Sequence, residues 1–156
     1  MITSPTAIRI LKKEKSHNEN QLKTESLRSL FLAGEPLDTG TSSWVNEKLP
    51  SVTVIDNYWQ TETGWPILSA QFGIQKTKIK SGSPSFPVFG YDLALANDHK
   101  LINETEKKGM LCLKAPLPPG SLQTIWGDDN RFINTYFFKN NTSYFYKTFD
   151  FAEIDN

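Results

Sequence analysis

The passage that most constrains the fold is residues 51–64. Residues 51–56 are β-branched and apolar and read as a buried strand. They run directly into the polar stretch Tyr58-Trp59-Gln60-Thr61-Glu62-Thr63-Gly64. Upstream, residues 27–33 are apolar apart from Arg28 and Ser29 and read as another buried strand. That strand stops at the turn-forming triplet Gly34-Glu35-Pro36. Between the two, residues 39–49 suit a helix with Trp44, Val45 and Leu49 on its buried face. Strand, helix, strand with polar turns at the strand ends is the α/β pattern.

In open α/β sheets, ligands sit beyond the carboxyl ends of strands. The polar stretch therefore has functional chemistry to offer. Thr61 and Thr63 carry hydroxyls that can donate to phosphate oxygens. Glu62 offers a hard carboxylate of the kind that holds magnesium beside phosphates. Gly64 lets backbone approach a ligand closely. The same residues also suit a plain polar turn, with Thr and Glu opening a helix, and residue chemistry does not separate the two.

Residues 4–15 read as a short helix, with Ser4 as cap and Pro5 at the first helical position. Residues 15–24 are polar and read as a loop. Character changes in the second half, where residues 71–122 are rich in Gly, Pro and short alternating runs. Residues 91–96 and 110–114 suit short strands, the first followed by a polar turn at Asn97-Asp98. This predicts an antiparallel sheet or partial barrel. Residues 126–139 place Trp126, Phe132, Ile133, Tyr136 and Phe137 in an amphipathic helical arrangement, and residues 144–146 make a last strand. The expected organisation is a partial α/β subdomain over residues 1–70 and a β-rich subdomain over residues 71–156.

The 17 Lys and Arg balance the 17 Asp and Glu, so bulk charge favours neither nucleic acid nor an anionic membrane as partner. No apolar stretch is long enough to span a bilayer, and the N-terminus does not read as a signal peptide. The cytoplasm is the expected location. The single Cys112 lies in an apolar run and reads as a buried small hydrophobe. His17 and His99 have no metal-ligand partner at suitable spacing and read as solvated. The alternation Lys76, Lys78, Lys80 suits the solvent face of an edge strand.

The residues from Val54 to Pro66, read as a string with Tyr58-Trp59-Gln60-Thr61-Glu62-Thr63-Gly64 at its centre, resemble the signature of the adenylate-forming superfamily, in its acetyl- and propionyl-CoA synthetase variety. Other segments resemble that family in the same order. These are Ser4-Pro5-Thr6-Ala7-Ile8-Arg9, residues 30–38, Lys80-Ser81-Gly82-Ser83-Pro84 and Gly90-Tyr91-Asp92. Leu117-Pro118-Pro119-Gly120, Trp126-Gly127-Asp128-Asp129 and Arg131-Phe132 resemble the propionyl variety in particular.

The resemblance implies part of a large N-terminal α/β domain. It also implies ligation of a short-chain carboxylate to CoA through an acyl-adenylate, using ATP, Mg2+ and CoA and releasing AMP and pyrophosphate. By the same resemblance Gly34, Glu35 and Pro36 line the adenine pocket, mainly through backbone and packing. Asp56, Asn57, Tyr58, Trp59, Gln60 and Thr61 wall the nucleotide and acyl sites. Thr61 contacts the α-phosphate, Glu62 holds magnesium, and Asp150 accepts hydrogen bonds from the ribose hydroxyls. Trp59 closes the acyl pocket. Ala33 stands opposite it and leaves more room than valine, enough for one more methylene, which points to propionate over acetate. A methylene in an apolar pocket is worth about 1–3 kcal/mol of discrimination.

The chain also departs from that family. It carries no Ser/Thr/Gly-rich phosphate loop ending in Lys-Gly, and it stops at Asn156, soon after Asp150, where a hinge and a small C-terminal domain are expected. The expectation is an internal fragment, inactive alone or working beside flanking fragments of the same ligase. The rival reading is a non-catalytic module for nucleotide binding or protein interaction. Whether the chain is itself an enzyme stays open at this point. One local departure precedes Asp150: the family has Thr-Gly-Asp where this chain has Thr148-Phe149-Asp150. Phenylalanine there is expected to shift the loop if the glycine serves a special backbone conformation.

Overall fold

The computed structural model describes residues 1–14, 24–74, 79–105 and 107–155. His17, most of the loop at 15–24, and Lys76 and Lys78 lie outside the described residues. The fold is mixed α/β with two sheets, and contacts group the chain into two compact units.

The first unit comprises Met1–Trp59 and Pro66–Val88. Its sheet runs β1 (Ile2–Thr3), β2 (Ser29–Leu32), β3 (Thr53–Tyr58), β4 (Leu68–Ser69) and β5 (Phe86–Pro87) in spatial order. The first three strands are parallel and the last two join antiparallel. Helices α1 (Pro5–Lys13) and α2 (Thr39–Lys48) supply apolar side chains to its core. Ser4 caps α1 by accepting from the Ala7 N–H, and Asp38 caps α2 by accepting from the Thr41 N–H. Each cap satisfies a donor the helix cannot satisfy itself. Ile8, Leu30, Leu32, Leu37, Val45, Val52 and Val54 form the buried core, with Trp44 and Leu49 packed against it.

Strand β3 begins two residues later than composition suggests. After α2 the Val52 N–H still closes a turn onto the Leu49 carbonyl at 3.0 Å, so pairing starts at Thr53. Strands β1, β4 and β5 have two residues each, too short to leave a periodic signal.

The second unit comprises Gln60–Trp65 and Phe89–Asn156. Its antiparallel sheet has the order β7-β6-β8-β10-β9 and curls into a half-barrel. The strands are β6 (Leu93–Asn97), β7 (Lys100–Ile102), β8 (Gly109–Lys114), β9 (Phe137–Asn140) and β10 (Ser143–Ala152). The polar turn after β6 is a two-residue hairpin in which Asp98 and His99 both have positive φ, 46° and 63°. That geometry matches the twist of the flanking strands. His99 is exposed, as expected, and its ring stacks on Phe138 at 5.0 Å. Cys112 is fully buried on β8.

Two expectations about this half are corrected. The helix α3 is Asp129–Tyr136, not 126–139. Asp128 caps it, Gly127 just before has φ 74°, and Phe137 has already turned extended to pair with Tyr146. Trp126 consequently stands outside the helix and is wholly exposed. The last strand is ten residues rather than three, and Thr148, Phe149 and Asp150 lie within it.

Candidate functional site

In the first unit the candidate residues gather where the parallel strands β2 and β3 end. Leu32 pairs with Asp56; β2 ends at that pair, while β3 runs on through Asn57 and Tyr58 against β4. Asn57 is buried, and its side-chain amide donates to the Leu32 carbonyl at 3.4 Å and to the Ile55 carbonyl at 3.2 Å. The amide thereby ties the two strand ends together. The Asp56 carboxyl accepts from the Asn57 and Leu37 N–H groups, yet partial burial outweighs these bonds and pushes its pKa up to about 6.

Ala33 is one residue past β2, and its N–H donates to the Thr3 carbonyl at 3.1 Å. Trp59, one residue past β3, is 46% exposed. Gly34 follows with φ 98°, a left-handed turn that costs glycine little. The Glu35 carboxylate is turned to α1. It accepts from the N–H and hydroxyl of Thr6 and from Arg9 at 2.7 Å, while Arg9 also donates to Asp38 at 2.9 Å and to the Pro36 carbonyl. Hydrogen bonds from Thr6 and Arg9 hold Glu35 below its usual range, and those from Thr41 and Arg9 do the same for Asp38. This network braces the 34–38 turn.

The second unit holds the rest of the signature. Thr61–Thr63 form a single 3-10 turn. The Gln60 N–H donates to the Thr63 hydroxyl, and that hydroxyl donates in turn to the Gln60 carbonyl at 2.9 Å. Thr63 is buried, and its carbonyl accepts from the Tyr91 hydroxyl at 3.1 Å. Its role is to shape the turn. Thr61 is exposed and Glu62 half-buried, while the Glu62 carbonyl accepts from the Leu122 N–H at 2.6 Å. Gly64 closes the turn with φ 65°, and an added Cβ would lie 2.5 Å from the Gly120 carbonyl oxygen.

The Gln60 side chain reaches across 88 and 90 residues of sequence to donate to the Thr148 carbonyl at 2.6 Å and to the Asp150 carboxylate at 2.8 Å. Gln60, Glu62 and Asp150 thus share one locality with Tyr146. The buried Tyr146 hydroxyl donates to the Gln60 side-chain carbonyl at 3.2 Å. Burial, then the charges of Glu62 and Asp150, hold the Tyr146 phenol well above its usual pKa. No local spacing signals Tyr146 or Thr148, since their partner is 86 to 88 residues away.

Among the described residues no three His, Cys, Asp or Glu side chains group as a metal site. A magnesium ion needs no such group when phosphate oxygens and water fill most of its shell, and the single Glu62 carboxylate fits that donor set. No described helix is long and apolar enough to cross a membrane.

A comparison with protein families matches residues 1–120 to the one described as "AMP-binding enzyme". The chain belongs to the AMP-binding enzyme family. Among curated relatives, a propionate–CoA ligase of Salmonella typhimurium is 48% identical over 99% of this chain and 24% of its own length. One from Escherichia coli is 49% identical over 87% of this chain and 22% of its own. An acetyl-coenzyme A synthetase of Helicobacter pylori (strain G27) is 34% identical over 98% of this chain and 23% of its own. The chain spans about a quarter of the length of these relatives. Its fold is similar to the crystal structure of a Brucella canis acyl-CoA synthetase, with a TM-score of 0.79 at 23% identity, over 99% of this chain and 26% of that one. The family match spans the signature, and the fold of both sheets is shared with that solved structure.

Proposed function

We propose that these residues serve an ATP-dependent short-chain carboxylate–CoA ligase, which makes acyl-CoA, AMP and pyrophosphate through an acyl-adenylate in the cytoplasm. The observation that supports this most is the near-half identity to propionate–CoA ligases over 87% to 99% of this chain. Gly34, Glu35 and Pro36 take adenine against their braced backbone. Asp56, Asn57, Tyr58, Trp59 and Gln60 wall the nucleotide. Thr61 meets the α-phosphate, Glu62 holds Mg2+, and Asp150 accepts from the ribose hydroxyls. The ion supplies positive charge against the phosphates. Ala33 and Trp59 bound the acyl group, and the small Ala33 favours propionate.

The 156 residues carry no phosphate loop ending in Lys-Gly, so they lack the preorganised donors that cradle β- and γ-phosphates. Each such donor is worth about 2.7–4 kcal/mol in catalysis. On this reading the chain by itself binds nucleotide without turnover, and the remaining parts come from elsewhere in a ligase.

A thermal melt with and without a propionyl-adenylate analogue tests the reading. Binding to the native state raises the midpoint. A cooperative transition that rises with the analogue, and rises less with acetyl-adenylate, is expected. A transition indifferent to both removes the proposal.

A further inference from the structure

We propose that Gln60 is a positioning residue that sets the Asp150 carboxylate for the ribose diol; this rests on the nucleotide reading above. Asp150 lies in a gap in the sheet. Strand β10 pairs with β8 through Lys147–Cys112 and resumes at Phe151–Met110, so three residues of β10 stand opposite Leu111 alone. The ladder therefore leaves the carboxylate's direction to side chains, and Gln60 takes that role.

Each group of the Gln60 amide has a partner. The nitrogen donates to the Thr148 carbonyl and to Asp150 Oδ2, and the oxygen accepts from Tyr146. Tyr146 is 2% exposed and stacked on Tyr136 at 5.6 Å, so the acceptor end is clamped. Thr148 is buried too. Its hydroxyl donates to the Leu111 carbonyl at 2.8 Å and accepts the Asp150 N–H at 3.2 Å. The start of the Gln60 side chain is fixed by its backbone bond to Thr63. Glutamate at this position would set a carboxylate against a carboxylate and a carbonyl, and asparagine is one methylene shorter. Two N–H donors, one acceptor and this length together describe glutamine.

The alternative is a tie that only closes the bulge. Titration calorimetry with AMP and with 2′,3′-dideoxy-AMP separates the two, using the whole chain and its Gln60→Met variant, which keeps the length and loses the donors. The wild type should favour AMP by roughly tenfold, as expected for hydrogen bonds to a charged group. Gln60→Met should lose most of that preference, weakening AMP several-fold more than dideoxy-AMP, and adding Asp150→Ala should cost no further preference. Equal weakening of both ligands, or an unchanged preference, overturns the proposal. If the wild type binds neither nucleotide, the nucleotide reading fails, and the diol role falls with it. A thermal double-mutant cycle then judges the tie itself: non-additive losses for Gln60→Met and Asp150→Ala keep it, and additive losses remove it as well.

Discussion

Phe149 has φ 62°, a left-handed conformation that disfavours any side chain, in the bulge just before Asp150. Phenylalanine has therefore taken the backbone state that suits glycine, and Asp150 still reaches Gln60. Its ring is 53% exposed, with Tyr136 at its edge and Lys147 above it. Those exposed contacts offset little of the torsional cost of about 1–2 kcal/mol. Phe149→Gly should raise the melting midpoint by roughly 2–4 °C for each kcal/mol relieved, and a lowered midpoint would show that the ring contacts outweigh the strain.

Asp56 makes a second prediction at this scale. Its folded pKa near 6 is above the unfolded value, so the native state binds the proton more tightly. Stability from this group is full below about pH 4 and is lost as pH rises to about 6. Allowing for partial exposure, about 1–2 kcal/mol is at stake. Urea melts should show this decline in the wild type and a flatter profile in Asp56→Asn; identical slopes would count against it.

Among the elements, the 3-10 turn at Thr61–Thr63 depends most on its closure. Gly64 combines φ 65° with a Cβ position 2.5 Å from a backbone oxygen, whereas Gly34, at φ 98°, has nothing within 4 Å. Gly64→Ala should therefore cost about 2–4 kcal/mol, strain plus overlap, and Gly34→Ala only about 1 kcal/mol. Chemical denaturation of both variants checks this, and equal losses would mean that Gly120 moves aside. Helix α3 teaches a related point. An amphipathic pattern continued through Phe137, but antiparallel pairing with β10 claimed that residue, and a helical period cannot register a competing strand.

Across the whole molecule, equal numbers of acidic and basic residues put the isoelectric point near pH 6.7. Solubility should pass through a minimum near that pH, because net charge keeps chains apart. Precipitation by polyethylene glycol across pH 5–9 measures it, and a flat profile would mean that exposed apolar residues such as Trp126 and Phe89 govern association instead. The strand–helix–strand start, the Ser4 cap of α1 and the buried Cys112 were legible because each depends on neighbours a few residues apart. The two-residue strands, the end of α3 and the length of β10 were not, because pairing across the sheet decides them.

The sequence by itself determined the family, through the contiguous string from Val54 to Pro66 and the segments in the same order around it. Only the tertiary structure decided that Gln60–Trp65 group with the antiparallel sheet while Tyr58 and Trp59 stay with the parallel one. It alone decided that Gln60 meets Asp150. Those outcomes rest on hydrogen bonds between residues 86 to 90 positions apart, which form when β10 folds back beside β8 and which no local spacing records.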